Sequence, residues 1–297
     1  MGDYEPVRSL FSTRRRRLAA RIALYGGAIL VGLPLAASQI LVGTTRWTTH
    51  PARPPWEEMS VSCGNLRLRA WLARGEPQRA AAVVVHGLGD SLEAYADTGV
   101  VLRRRGHTVL LLDLRAHGGS EGRLTTLGGH EREDVRAALG ALRERGLGDE
   151  GFVLFGVSMG AVAVIRAAAE ETDVRAVIAE APFDSYRGTV VHHAWLFFGL
   201  PEWFPLIPAT IQLAEWRAGF DADEVDTVDA VRRVRAPLLL IVDGDDPRVP
   251  ESVVRRVFDA HPGPRQLWVA DGAPHSGASL VPGYWETVLA FLDEQGL

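Results

Sequence analysis

The sequence predicts an α/β fold: a mostly parallel, twisted sheet flanked by helices, interrupted by one helical insertion and preceded by a long apolar helix. Three observations point there. Short, unbroken apolar runs recur from about Met59 to the C-terminus, stretches of helical length and amphipathic pattern separate them, and Gly and Pro punctuate the junctions. Parallel strands are buried on both faces, so they read as continuous apolar runs rather than as alternating ones.

The N-terminal part differs in composition from the rest. Arg14 to Arg17 form a cationic run with Arg21 close behind, and Ile22 to Val42 then carry no charge. That run is close to the roughly 20 apolar residues a helix needs to cross a bilayer. The positive-inside tendency puts residues 1–21 in the cytoplasm, makes 22–42 a single transmembrane helix, and exports the remainder of the chain. A cleaved signal peptide ending near Leu35-Ala36-Ala37, which would leave a secreted protein, and an arginine-pair export signal at Arg15-Arg16 are the competing readings. A buried core helix fits less well, because the segment is flanked by arginines and has no polar face. Residues 43–58, rich in Thr and Pro, read as an extended linker.

From Met59 the elements come in order. Met59–Ser62 and Leu66–Ala73, joined by Cys63-Gly64-Asn65, predict an antiparallel hairpin at a sheet edge. Ala80–Val85, Thr108–Leu112, Phe152–Phe155, Ala176–Ala179, Leu238–Val242 and Gln266–Val269 predict buried strands. Helices are expected at 92–105, 127–145, 159–171, 251–260 and 285–294. Gly106 and Gly146 each come after a cationic last turn, which predicts left-handed helix caps there. From about Ser185 to Asp229 no strand is legible. This stretch is dominated by aromatics, Leu and Pro, and reads as a helical insertion over the carboxyl edge of the sheet.

Composition narrows the chemistry. A formal net charge of −5 offers no basic field for nucleic acid. Cys63 is the only cysteine, so an internal disulfide and a cysteine metal cluster are excluded. The adjacent His192 and His193 have no carboxylate at metal-ligand spacing, so no metal is expected there.

The motif that carries chemistry is Gly156-Val157-Ser158-Met159-Gly160, between an apolar strand and a helix. A serine on so sharp a turn needs Gly two places before and after, because neighbouring backbones close in on both sides. A serine hydroxyl is a weak nucleophile until a base stands within hydrogen-bond reach. Of the nine histidines, His275 lies after the last strand run and before the final helix, in a loop that reaches the same sheet edge. His86, His107, His117, His130 and His261 read as turn, packing or surface residues. The carboxylate that would fix the imidazole tautomer comes from Leu238–Pro250, which offers Asp243, Asp245 and Asp246. Composition does not separate the three. The order Ser, Asp, His fits a nucleophile elbow of this kind.

With these motifs the sequence resembles the α/β-hydrolase superfamily from about residue 59 to the C-terminus, and most closely its bacterial membrane-anchored, depalmitoylase-like and S33 peptidase-like serine hydrolases. VVVHGLGDS resembles the oxyanion segment after the third strand. LDLRAHGGSEG resembles the D-x-R-G-H-G-x-S turn, with Ala116 where glycine is usual. The G-x-x-D-x-x-V-P pattern, laid without a gap, implies Asp246 as the acid and puts Asp243 where glycine is usual, leaving Asp245 as the alternative. The G-x-x-H pattern matches Gly272 to His275. The resemblance implies Ser158, Asp246 and His275 as catalytic residues and the backbone amides of Leu88 and Met159 as the oxyanion hole. It implies no cofactor.

The resulting expectation is hydrolysis of an ester or thioester through an acyl-enzyme, with a small-molecule or lipid-like acyl substrate under an apolar roof of Trp195, Leu196, Phe197, Phe198, Trp203 and Phe204. The alternatives are a peptidase or amidase using the same triad, and a non-catalytic binding protein on the same fold. Oligomeric state is not legible.

Overall fold

The computed structural model describes residues 8–46 and 48–297, so the start of the expected cytoplasmic segment 1–21 (residues 1–7) and residue 47 of the expected linker lie outside the described residues. Among the described residues, eight strands are present: β1 (Glu57–Cys63), β2 (Leu66–Ala73), β3 (Ala81–Val85), β4 (Val109–Leu112), β5 (Phe152–Val157), β6 (Val174–Glu180), β7 (Leu238–Asp243) and β8 (Arg265–Ala270). They form one sheet in the order β1-β2-β4-β3-β5-β6-β7-β8. The β1–β2 and β2–β4 pairs are antiparallel and all others are parallel. The predicted edge hairpin and the doubly covered parallel strands are therefore both observed.

The helices are α1 (Arg8–Val42), α2 (Ala96–Arg104), α3 (Glu131–Arg143), α4 (Met159–Ala168), α5 (Tyr186–Phe198), α6 (Leu206–Ala218), α7 (Thr227–Val231), α8 (Glu251–Ala260) and α9 (Tyr284–Glu294). Side chains that alternate along the strands divide the core into two layers. Val83 and Leu154 pack with α3, α4 and α8, whereas Val84 and Phe155 pack with α2 and α9. Every residue of α4 is buried, which fixes the start of that helix, and the turn before it, firmly against the sheet.

Three local expectations are corrected. The helix expected from Leu127 starts at Glu131, because Leu127 and Gly128 have φ of 51° and 96°. The buried Glu131 carboxylate accepts the amides of Thr126 and Gly128, both at 2.9 Å, so it holds the turn that leads into the helix. The helix expected over 92–105 opens as a 3-10 turn, Leu92–Tyr95, before α2. β8 is only half-buried because it forms the open edge of the sheet, where one flank has no neighbouring strand.

The insertion holds no strand and folds as α5, α6 and the short α7. Ser185 Oγ caps α5 by accepting the Gly188 amide, and Gly199 ends it at φ 64°. α1 packs lengthwise on α6 through a stripe at Pro34, Ser38 and Val42, while most of its remaining described side chains are exposed. Val42 then reaches the body of the domain, where its carbonyl accepts the Thr125 amide at 2.9 Å.

Candidate active site

β5 ends at Val157 and α4 begins at Met159, which isolates Ser158 on the turn with φ 53° and ψ −116°. A non-glycine residue is held in that region only when its surroundings dictate it. The surroundings are close backbone. A Cβ on Gly156 would stand 2.4 Å from the Gly160 oxygen, and one on Gly160 would stand 2.5 Å from the His86 oxygen. The Ser158 amide donates to the Glu180 carbonyl at 2.8 Å, tying the turn to the neighbouring strand β6.

His275 sits on the loop after β8. Its Nε2 lies 3.0 Å from Ser158 Oγ, and its Nδ1 lies 2.5 Å from Asp246 Oδ2. The second Asp246 oxygen accepts the Arg248 amide at 2.7 Å. Burial alone would raise the Asp246 pKa, but the hydrogen bonds from His275 and from the loop amides outweigh it, and the carboxyl sits below its ordinary range. Asp245, one residue earlier, is exposed, and its amide donates to Ala273 O. Of the two acids that sequence left open, Asp246 is the one beside the imidazole.

Met159 directly succeeds the serine and opens α4, whose amide dipoles point toward it. Leu88 comes after Gly87, where a Cβ would stand 3.5 Å from Ser158 Cβ. The segment bearing Leu88 is fixed by His86, a buried imidazole that donates from Nδ1 to the Gly87 carbonyl at 2.7 Å and accepts the Leu114 amide at Nε2 at 3.1 Å. Burial and the nearby His117 push the His86 pKa down to about 3, so it stays neutral and keeps both bonds.

Two residues at the site have roles that the sequence did not give: Asp243, read there only as a candidate acid, and Glu180, which was not singled out. Asp243 Oδ2 accepts the Ser276 amide at 2.7 Å and its Oδ1 accepts the Ala278 amide at 3.1 Å, so it grips the loop that carries His275. Glu180 ends β6 and is almost fully buried, with Tyr284 Oη donating to it at 3.1 Å. Burial and the adjacent Asp243 charge raise the Glu180 pKa to about 8, and burial raises Asp243 to about 6. Nothing in either residue type at the end of an apolar run announces such a role. His192 and His193 join α5 to the acid loop, with Nε2 donating to Pro247 O at 2.7 Å and to Arg248 O at 3.2 Å respectively.

Among the described residues, Asp243, Asp246 and His275 bring ligand-type atoms within 4.8 Å of one another. Each of the four carboxylate oxygens already accepts a hydrogen bond, from Nδ1 or from one of three backbone amides, donors that a cation would crowd. The group therefore fits a hydrogen-bonded acid–base array and not a metal site.

The comparisons with known proteins agree with this architecture. The Hydrolase_4 family model, described as serine aminopeptidase S33, matches residues 76–216, which include Ser158 and stop short of Asp246 and His275. The uncharacterized protein YqkD of Bacillus subtilis is 31% identical over 193 residues, covering 63% of this chain and 63% of YqkD. Rv2307c of Mycobacterium tuberculosis is 28% identical over 205 residues, covering 68% of this chain and 65% of its own length. The chain thus spans somewhat less than two thirds of these relatives. Among solved structures, the Pyrococcus furiosus esterase Pf2001 superposes with a TM-score of 0.67 at 24% identity, covering 85% of this chain and 99% of the esterase. The chain has the α/β-hydrolase fold. In the turn that resembles D-x-R-G-H-G, Ala116 adopts φ 64°, a conformation that glycine reaches without strain.

Proposed function

We propose that this α/β-hydrolase-fold protein is a serine hydrolase that cleaves carboxylic ester or thioester bonds by acyl transfer to water. The single observation that carries the reading is the hydrogen-bonded line from Ser158 Oγ through His275 to Asp246 at the carboxyl edge of the sheet. In this mechanism His275 takes the Ser158 proton as Oγ attacks the carbonyl carbon, and Asp246 stabilises the imidazolium. The amides of Leu88 and Met159 meet the charge on the tetrahedral oxygen. His275 then protonates the leaving group, and a water activated by the same imidazole releases the acid and restores Ser158.

Substrate class is read from the insertion. The exposed Trp195, Phe197 and Phe198 of α5 adjoin the acid loop through His192 and His193, and the Arg248 guanidinium lies 6.0 Å from the Phe197 ring centre. An apolar wall beside the loop that carries the acid favours a lipid-like acyl group. α1 would hold the enzyme as a single-pass membrane protein with residues 59–297 outside the cytoplasm. Its packing on α6 favours a retained anchor over a cleaved signal. The S33 match supports a second reading, a peptidase or amidase on the same triad.

The test is fluorophosphonate labelling of the full chain in detergent, with a p-nitrophenyl ester series and aminoacyl-anilides as substrates. Labelling of wild type, loss of labelling in Ser158→Ala and faster turnover of longer acyl chains are expected. Absence of labelling in folded wild type overturns the serine-hydrolase reading. Anilide cleavage that exceeds ester cleavage transfers it to the peptidase class.

A further inference from the structure

The insertion has a second property that acyl transfer does not require. Between Thr189 and Ala214 the only charged side chain is Glu202. Within and just beyond that stretch Trp195 is 60% exposed, Phe198 66%, Trp203 79% and Trp216 78%. A soluble surface rarely concentrates so many large apolar side chains, and such a patch marks a contact with something apolar. Scattered aromatics alone would not say what covers them, but the position of α1 does.

Depth in the bilayer is set by α1. A helix rises about 1.5 Å per residue, so the uncharged run 22–42 is roughly 31 Å long, about the thickness of the hydrocarbon layer. Arg15, Arg16, Arg17 and Arg21 cannot enter that layer cheaply, so they fix the cytoplasmic end, and the run has no residues to spare at the other. Yet the α1 positions buried against the domain, Pro34, Ser38 and Val42, lie inside the run, with α6 packed along it. The stripe covers about 12 Å of helix at that rise. α6 therefore overlaps the outer part of the span in depth. Arg217 extends from α6 to Ser38 Oγ at 2.8 Å and to Gln39, the two polar residues near the outer end of the run. That is the behaviour of a long cationic side chain reaching for the membrane boundary.

We propose that the α5–α6 pair is a bilayer-docking face, seated at the headgroup and acyl boundary of the leaflet through which α1 leaves the membrane. Trp203 and Trp216 lie at the level where interfacial tryptophans gather. The α5 aromatics extend that surface to the acid loop, which His192, His193 and Phe197 touch at Pro247 and Arg248. The occupant of the face is a lipid surface. The inference rests on the reading of α1 as a membrane span, but not on the chemistry at Ser158.

The experiment uses the full chain reconstituted in phosphatidylcholine vesicles whose acyl chains carry bromine either near the headgroup or near the bilayer centre. Tryptophan emission is read for wild type and for Trp203→Phe with Trp216→Phe, and alkaline carbonate extraction reads the anchor separately. Wild type is expected to resist extraction and to be quenched more by shallow than by deep bromine, with the double variant losing about half of the shallow quenching as interfacial tryptophans are removed. Release by carbonate refutes the anchor, and the docking falls with it. Retention with shallow quenching that is absent, or unchanged in the variant, refutes the docking alone.

Discussion

Asp243 and Ser276 are 33 residues apart, yet the Asp243 carboxylate accepts the Ser276 amide at 2.7 Å, immediately after the histidine that faces Ser158. The strand that supplies the acid thus also holds the loop that supplies the imidazole. Ser276 itself has φ 61°, an unfavourable conformation that this grip maintains. Behind Asp243 lies Glu180, whose backbone carbonyl holds the Ser158 amide. A single buried carboxyl pair therefore touches the supports of both the hydroxyl and the base.

The three aspartates of one turn consequently have three different expected effects. Asp246→Asn removes the charge that stabilises the imidazolium and favours the wrong tautomer, and kcat is expected to fall on the order of 10³- to 10⁴-fold. Asp243→Asn replaces an acceptor oxygen with an NH₂ that faces a backbone N–H. An unmade buried hydrogen bond costs about 1–3 kcal/mol, so a loss of roughly 10- to 100-fold in kcat is expected with KM little changed. Asp245→Asn, on an exposed side chain, should stay near wild type. Steady-state kinetics on one p-nitrophenyl ester ranks the three, and equal activity of the Asp245 and Asp246 variants would refute the assignment of the acid.

Glu180 makes stability depend on pH in a defined direction. Its carboxyl has a pKa near 4.5 when unfolded and about 8 in the fold, raised by burial and then by the Asp243 charge. Below about pH 4.5 both states hold the proton and the stabilisation is fully present. Between those values the unfolded chain has lost the proton that the folded chain keeps, so each pH unit lowers stability by up to about 1.4 kcal/mol, until the loss is complete near pH 8. Asp243, raised to about 6, adds a slope of the same sign at lower pH. Tyr284, Tyr95 and the Ala278 amide complete the surroundings of Glu180. Glu180→Gln keeps a neutral group of the same shape and should flatten the decline between pH 6 and 8. Urea midpoints of the two full chains in detergent, taken at intervals across that range, check this; parallel curves would show that Glu180 is ionised in the fold.

What the sequence made legible was what local physics fixes. β2 and α8 have the expected bounds, because an apolar run or an amphipathic stretch ends at turn residues in both. The elbow was legible because its two glycines answer a steric demand within five residues. Asp243 and Glu180 were not, since their meaning depends on a loop that returns from residues 276–278. Nor was the edge of α3, where a turn with positive φ at Leu127 and Gly128, held by the buried Glu131 carboxylate, outweighed the helical pattern of Leu127–His130. The insertion declared its apolar character but not its helix bounds, because a segment apolar on every face has no period to read. Contact between Ser38 and Arg217 spans 179 positions and leaves no local trace.

The elbow offers a test that separates backbone crowding from helix propensity. Gly156 and Gly140 both lie in regular elements, β5 and α3, where glycine is normally the poorer choice. A Cβ on Gly156 would stand 2.4 Å from the Gly160 oxygen and 2.7 Å from the Ala161 nitrogen, both backbone atoms at the start of the fully buried α4. Neither β5 nor α4 can retreat without opening the core. Gly156→Ala should therefore cost at least the 1–3 kcal/mol typical of overpacking, at about that magnitude or above, and should displace Ser158 from His275. A Cβ on Gly140 meets nothing within 4 Å. Gly140→Ala should gain about 0.5–1 kcal/mol from reduced freedom of the unfolded chain and leave the site untouched. Thermal midpoints together with fluorophosphonate labelling rates distinguish the two. A Gly156→Ala protein as stable and as rapidly labelled as wild type would mean that the glycines at the elbow are not required by the packing described, and the strained position of Ser158 would need another cause.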